Sequence, residues 1–326
     1  MMNKKISVVV PTYKRPGLLM NCLAALTKQD LAKNDFEIIV VSDGPDETTR
    51  EMMQNLNHLL LPYVQYITLD ENSGPATARN AGWKKANGEL IAFTDDDCTP
   101  LQGWLSALWN AYEFYANPVI AFSGKVIVPI PETPTDYELN TSHLAHADFI
   151  TANCACSKKA LERINGFDER FRSAWREDSD LEFRLIENNI SVIKIDEAVV
   201  VHPVRKATWG VSIREQRKTM FNALLYKKFP SLFRTKIQRS PAWNYYLIIA
   251  GVVLTLAGIV AGKKMLIIAG MLLYLGFTVS FIIKRLSRTS HSRDHVLEMV
   301  ATSAVIPFVS VYWTLYGAFK YRVVYY

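Results

Sequence analysis

The chain has 326 residues, long enough for one large domain with added elements, and its net charge of +6 is spread unevenly. Residues 1–203 carry 19 Lys/Arg against 28 Asp/Glu, residues 204–240 carry 10 against 1, and residues 241–326 carry 8 against 2. An acidic body, a basic neck and an apolar basic tail suit an enzyme held at an anionic membrane surface; a nucleic-acid binder is disfavoured, because the neck runs straight into apolar segments.

In chain order, "ISVVVPTY" (6–13) reads as a strand and 17–29 as a helix. Residues 36–44 then read as a strand, 46–60 as a helix, 64–70 as a strand, 74–86 as a helix and 89–95 as a fourth strand. Near-continuous Val/Ile runs between amphipathic helices predict an α/β fold, Rossmann-like, with a mostly parallel sheet covered by helices on both faces. Ligands bind such sheets beyond the carboxyl ends of the strands. The residues expected there are Pro11, Thr12, Tyr13, Lys14 and Arg15; Ser42, Asp43 and Gly44; Asp70, Glu71 and Asn72; and Asp95, Asp96 and Asp97. No G-x-G-x-x-G follows the first strand and no G-x-x-x-x-G-K-[ST] occurs, which disfavours hydride transfer and P-loop hydrolysis. Three adjacent carboxylates need a counter-charge. Mn²⁺ or Mg²⁺ carrying a substrate diphosphate supplies one, whereas the same triplet elsewhere is often a solvated loop.

Downstream, 119–131 is strand-like, and 148–171 runs from an extended segment through a helix to an Asn-Gly turn. Residues 175–189 read as a helix with Glu177 and Asp178 in its first turn. There the helix dipole keeps a carboxylate ionised, either as a general base or merely as a favourable N-terminal acid. Segments 243–262 and 265–283 each match the length needed to cross ~30 Å of hydrocarbon, and only Lys263 and Lys264 lie between them, so they predict a transmembrane hairpin. Segment 296–319 contains Glu298 and Pro307, and spanning, re-entrant and interfacial placements all remain open. The Lys/Arg-rich neck and the 284–294 loop are expected on the cytoplasmic side. The apolar run in "MMNKKISVVVP" is too short for a signal peptide, so the body is expected in the cytoplasm and the chain in the inner membrane as a multi-pass protein. The four cysteines then read as reduced thiols; Cys154-x-Cys156 lacks zinc spacing and a second pair. In the neck, residues 211–240 are expected to form an amphipathic helix, lying on lipid headgroups or packing on the body.

Over roughly residues 4–205 the chain resembles family-2 glycosyltransferases, inverting enzymes of GT-A fold that use nucleotide-sugar donors. "VVVPTYKRPGLL", "VVSDGPDE", "NSGPATARNAGWKKANGELIAFTDDDCTP", "NCACSKKALERINGFDE" and "REDSDLEFRL" resemble that family's motifs in order. The resemblance implies a catalytic domain over 1–205, and charge and apolar runs add a neck over 206–240 and a membrane region over 241–326. It also implies that Pro11, Thr12, Tyr13 and Arg15 border the base, that Asp43 reads a uracil edge, and that Gly74, Arg79 and Asn80 lie near the nucleotide. Asp97 would be a direct metal ligand, with Asp95 sharing the metal and turned toward ribose or diphosphate, Asp96 between them, and Asp178 as the base beside Glu177. Asn153 and Trp175 would face the acceptor, while His202 completes the metal shell or is a loop residue, and Arg205 touches the diphosphate. Two departures stand out: Ser42 replaces the first Asp of Asp-Asp-Gly-Ser, and Asn165 replaces the first Gly of Gly-Gly-Phe-Asp. "REQRKTM" lacks the Q-x-x-R-W of processive synthases, which favours one transfer per encounter. The expected donor is a UDP-sugar and the expected acceptor a hydroxyl of a saccharide or lipid-linked saccharide. Rival readings are a polyprenyl-phosphate glycosyltransferase, which needs no base, and a non-catalytic donor-binding subunit, which would have no use for both acidic motifs.

Overall fold

The computed structural model describes residues 4–57 and 64–324. They form two compact units: residues up to Pro129 with Ser142–Val204, and Ile130–Thr141 with the residues from Arg205 on. The first unit opens as its residue pattern demands, with β1 (Lys4–Thr12), α1 (Pro16–Leu26), β2 (Phe36–Ser42), α2 (Glu47–Asn57), β3 (Val64–Thr68), α3 (Pro75–Lys85) and β4 (Gly88–Phe93). The expected end of the second helix, at Leu60, lies outside the described residues. Both α1 and α3 begin at a proline, where the missing N–H removes no helical hydrogen bond.

Then follow β5 (Thr99–Pro100), α4 (Trp104–Tyr115), β6 (Ala121–Ile127), α5 (Asp136–Ser142), β7 (Cys154–Ser157), α6 (Lys158–Ile164), α7 (Glu177–Glu187) and β8 (Val192–Val201). The sheet order is β3-β2-β1-β4-β7-β6-β8-β5. β3, β2, β1 and β4 are mutually parallel, β7 runs against β4 and β6, β8 is parallel to β6, and β5 runs against β8. Only β7 and β5 are reversed, so the sheet is mixed and mostly parallel.

Alternation along the strands sorts the core. Ile6, Val8, Val10, Ile38, Val40, Leu90 and Ala92 face α1 and α4 through Leu19, Leu23, Trp104, Leu105 and Leu108. Val9, Ile39, Val41, Ile91 and Phe93 pack with Ala76, Trp83, Leu161, Leu181 and Leu185 of α3, α6 and α7. Asn153, read as facing the acceptor, is fully buried. Its Nδ2 donates to the carbonyls of Lys125 and Ala198, both at 2.8 Å, and its Oδ1 accepts from Trp104 Nε1 at 2.8 Å. Both amide hydrogens are spent pinning β6 where its register against β8 shifts at Gly124/Lys125. Asn153→Ala strands all three partners and is expected to cost about 3 kcal/mol, read as a lowered denaturation midpoint.

In the second unit, the neck is not one amphipathic helix. It comprises α8 (Val211–Glu215), a 3-10 turn (Gln216–Thr219), α9 (Met220–Lys228), α10 (Pro230–Leu232) and a π turn (Phe233–Ile237). Pro230 interrupts the run, and Phe221, Leu224, Leu225, Phe229 and Phe233 are buried in the unit's own core. Three helices follow, α11 (Trp243–Val260), α12 (Lys264–Leu286) and α13 (Arg293–Tyr321), each long and apolar enough to cross a membrane. The third continues through Pro307, so the re-entrant alternative falls. α11 and α12 approach closely at Gly251, where a Cβ would stand 2.6 Å from the Tyr274 nitrogen. Buried Arg285 binds Asp136 through Nη2 (2.7 Å) and Nε (3.3 Å) and donates to Thr302, Ser303 and Ser212, tying α5 and α8 to α12 and α13.

Candidate active site

β4 ends at Phe93, and a turn closed by Cys98 N–H donating to the Asp95 carbonyl (3.1 Å) carries the three aspartates into β5. The counter-charges are largely side chains of the protein. Arg79 Nη2 meets Asp95 Oδ1 at 2.7 Å. Asp96 Oδ2 accepts from Thr12 Oγ1 at 2.7 Å and lies 3.1 Å from Arg15 Nε. Asp97 faces Arg15 Nη1 at 3.9 Å and His202 Nε2 at 3.8 Å. Thr12 and Arg15, expected against a nucleotide base, contact the acidic turn. Pro11 is buried in β1 opposite Val41, and Tyr13 is half-buried with the Lys14 ammonium 5.1 Å over its ring.

Arg79 is the hinge of the site. It is 1% exposed, and its second arm meets Glu177 Oε1 at 3.2 Å, so one guanidinium joins the acidic turn to the first turn of α7. Burial opposes its charge, but Asp95 and Glu177 outweigh burial and raise its pKa further. Burial likewise opposes ionisation of Asp95, yet Arg79 holds its carboxyl below the usual range. Glu177 goes the other way. Burial first, then the neighbouring Asp178, push its pKa up to about 7, and its Oε2 is buried without a hydrogen-bond partner. Burial also lifts Asp96 to about 6 against the pull of Arg15 and Thr12.

The Glu177 shift has a testable sign. Below pH 4.5 the group is protonated folded and unfolded alike; between 4.5 and about 7 the unfolded state loses its proton more readily. Stability therefore falls as pH rises through that window. Glu177→Gln is expected to remove this slope, seen as a wild-type-minus-variant difference in denaturation midpoint that changes between pH 4.5 and 7 and is flat above.

Asp178 is half-buried, and its Oδ1 accepts from the Ser179 amide at 2.6 Å. Trp175, also half-buried, carries the Arg176 guanidinium 4.6 Å over its ring, and Arg176 enters α7 with φ at 74°. Asp43 holds the loop before α3, accepting from the Ser73 amide (2.8 Å), the Gly74 amide (3.0 Å) and Asn72 Nδ2 (3.1 Å). Gly74 has φ of 100°, and a Cβ there would come within 2.7 Å of Arg172 backbone, so only glycine fits.

Asn80, read as lying near a nucleotide, is occupied inside the fold. Its Nδ2 donates to the Phe167 carbonyl and Glu169, and its Oδ1 accepts from Trp83 Nε1 and the Phe167 amide. It shapes the 165–169 turn instead. Arg205 belongs to the second unit and is exposed there.

For a metal, the described residues offer Asp97, Cys98 and His202, whose ligand atoms lie within 4.8 Å of one another. The Asp97–His202 separation of 3.8 Å is too long for a hydrogen bond and short enough for both to bind one ion. His202 is 9% exposed, and the nitrogen it turns toward Asp97 is Nε2. The donors fit a divalent cation. Asp95, expected to share it, is held by Arg79. Cys98, by contrast, entered the sequence reading only as a reduced thiol; its adjacency to Asp97 was the available signal.

A family model described as "Glycosyl transferase family 2" matches residues 7–171, and one described as "Glycosyl transferase family group 2" matches 135–283. Validoxylamine A glucosyltransferase of Streptomyces hygroscopicus subsp. limoneus is 26% identical over 249 residues, covering 65% of this chain and 52% of the relative. The GalNAc(5)-diNAcBac-PP-undecaprenol beta-1,3-glucosyltransferase of Campylobacter jejuni is 31% identical over 180 residues, 51% of this chain and 56% of the relative. The chain spans about half the length of these curated relatives. Among solved structures, mannosyltransferase PcManGT from Pyrobaculum calidifontis, in complex with GDP-Man and Mn²⁺, superposes with a TM-score of 0.62 at 19% identity over 96% of this chain and 87% of that one. S. aureus TarS 1–349 in complex with UDP gives 0.50 at 17% identity over 99% and 93%. These two likenesses are of fold, and the fold is GT-A. With a family model matching about half its residues and a GT-A sheet carrying the acidic turn, the chain belongs to glycosyl transferase family 2.

Proposed function

We propose that the chain transfers a sugar, with inversion, from a nucleoside diphosphate sugar to a hydroxyl of a saccharide or lipid-linked saccharide at the cytoplasmic face of a membrane. The observation that supports this most is Arg79, which bridges Asp95 and Glu177 and so holds the acidic turn and the start of α7 on one rim. Donor-side acids and a base must share a rim for a single displacement.

Asp178, in the first turn of α7, accepts the proton of the acceptor hydroxyl as it attacks the anomeric carbon. Arg15 and Arg79 meet the charge that grows on the departing diphosphate. Asp97 and His202 would hold Mn²⁺ or Mg²⁺, which when bound neutralises that same charge. The imidazole favours Mn²⁺, since Mg²⁺ prefers oxygen ligands. Tyr13, Asp43 and Gly74 border the nucleotide, with UDP the first base to test, and the Trp175 ring offers the acceptor sugar an apolar face. A phosphate acceptor would leave Asp178 without a task, so the hydroxyl acceptor is preferred. Exposed Lys227, Arg234, Lys236 and Arg239 of the neck would lie among anionic headgroups. The three long helices cross the bilayer and anchor the enzyme.

The test is a nucleotide-sugar screen by thermal shift with Mn²⁺, repeated on Asp97→Ala. Loss of at least about tenfold in Mn²⁺-dependent donor affinity is expected in a variant that still folds. Unchanged metal-dependent binding would remove Asp97 as a ligand.

A further inference from the structure

The metal-ligating cluster has a third member that the proposed chemistry does not use. Cys98 follows Asp97 directly, its Sγ is 4.0 Å from Asp97 Oδ1, and it belongs to the set of ligand atoms within 4.8 Å that includes His202. All three side chains are buried. A carboxylate, a thiol and an imidazole are a mixed donor set. Mn²⁺ and Mg²⁺ make little use of sulfur, whereas Zn²⁺ takes Cys, His and carboxylate ligands together at distances of about 2.0–2.3 Å.

We propose that Asp97, Cys98 and His202 form a site for thiophilic divalent ions such as Zn²⁺, and that occupation of this site displaces the hard ion needed for transfer. This rests on the reading of Asp97 and His202 as metal holders. Binding replaces the thiol proton by the ion: the S–H bond breaks, an S–metal bond forms, and the proton leaves to solvent. The sulfur then donates charge to the ion and blunts its pull on a diphosphate, while a tetrahedral shell with three protein ligands leaves one open position.

Tighter binding of Zn²⁺ than Mn²⁺ would not by itself discriminate, because nearly any nitrogen-oxygen site ranks them that way. Dependence on the sulfur does. The full chain in detergent, stripped of metal, is titrated with Co²⁺ and followed in the near ultraviolet for the thiolate-to-cobalt charge-transfer band, beside Cys98→Ser and, as a thiol control, Cys22→Ala. The band is expected in wild type and Cys22→Ala and absent in Cys98→Ser, with Zn²⁺ affinity in Cys98→Ser weakened by at least about tenfold and Mn²⁺ affinity unchanged within about threefold. Should Cys98→Ser fail to fold, the band in wild type and its weakening in His202→Gln decide instead. Co²⁺ binding without a charge-transfer band, or a band that survives in Cys98→Ser, overturns the thiophilic site while leaving the Mn²⁺ reading intact. If neither Co²⁺ nor Mn²⁺ binds, the metal reading itself fails.

Discussion

Arg79→Met is expected to lower stability by about 3–5 kcal/mol, because it leaves Asp95 and Glu177 without the cation they share. The magnitude follows from burial. Arg79 and Glu177 are 1% and 3% exposed, so water cannot replace the partner that Glu177 loses, while the Asp95 side chain is 28% exposed and is partly rehydrated. Glu177 can escape by taking a proton, as its raised pKa allows, but Asp95 sits beside Asp96 and Asp97 and has no second strong cation at hydrogen-bond range among the described residues. The triple change Arg79→Met, Asp95→Asn, Glu177→Gln removes all three charges together and is expected to recover most of the loss. Urea midpoints for the two variants measure the difference. A single Arg79→Met variant within about 1 kcal/mol of wild type would mean that the triad is solvated rather than buried.

Asp178→Asn is expected to reduce kcat by about 10²–10⁴-fold while donor affinity stays within about twofold. Asparagine keeps the shape and still accepts the Ser179 amide through its carbonyl oxygen, so the helix start survives. What goes is the ability to receive a proton. Glu177→Gln provides the contrast. That group touches Arg79, and its loss should disturb stability and its pH profile more than the chemical step. Near-normal turnover in Asp178→Asn would exclude it as the base.

Fold and site differ in how far the sequence carries them. Strand runs such as "ISVVVP" and "EIIVV" are apolar on both faces, which only a sheet buried on both sides tolerates, so the parallel half of the fold was legible. α4 was not anticipated, although Trp104, Leu105, Leu108 and Trp109 have helical spacing and are all buried. β5 is only two residues long and is fixed by pairing with distant β8, which no local pattern reveals. The acidic turn and the α7 acids were legible from their types and order, and Arg79 through the family resemblance. Their partners were not, since Arg79 joins residues 16 and 98 positions away. Asn153 and Asn80 show the same limit. Amides suited to a sugar or a nucleotide are equally suited to satisfying backbone groups, and only burial tells the two apart. In the neck, apolar residues among cations looked like a membrane-surface helix, but α13 covers that face, with Gly317 letting the Met220 backbone within 2.5 Å of a would-be Cβ.

The most direct measurement is a structure of the Asp178→Asn variant trapped with an intact nucleotide-sugar and Mn²⁺. The expected density has the ion in contact with Asp97 and His202, the pyrophosphate on that ion, and the anomeric carbon open to attack from the side of residue 178. A pyrophosphate bound away from the acidic turn, or a sugar whose reactive face is turned from the start of α7, would contradict the proposed chemistry outright.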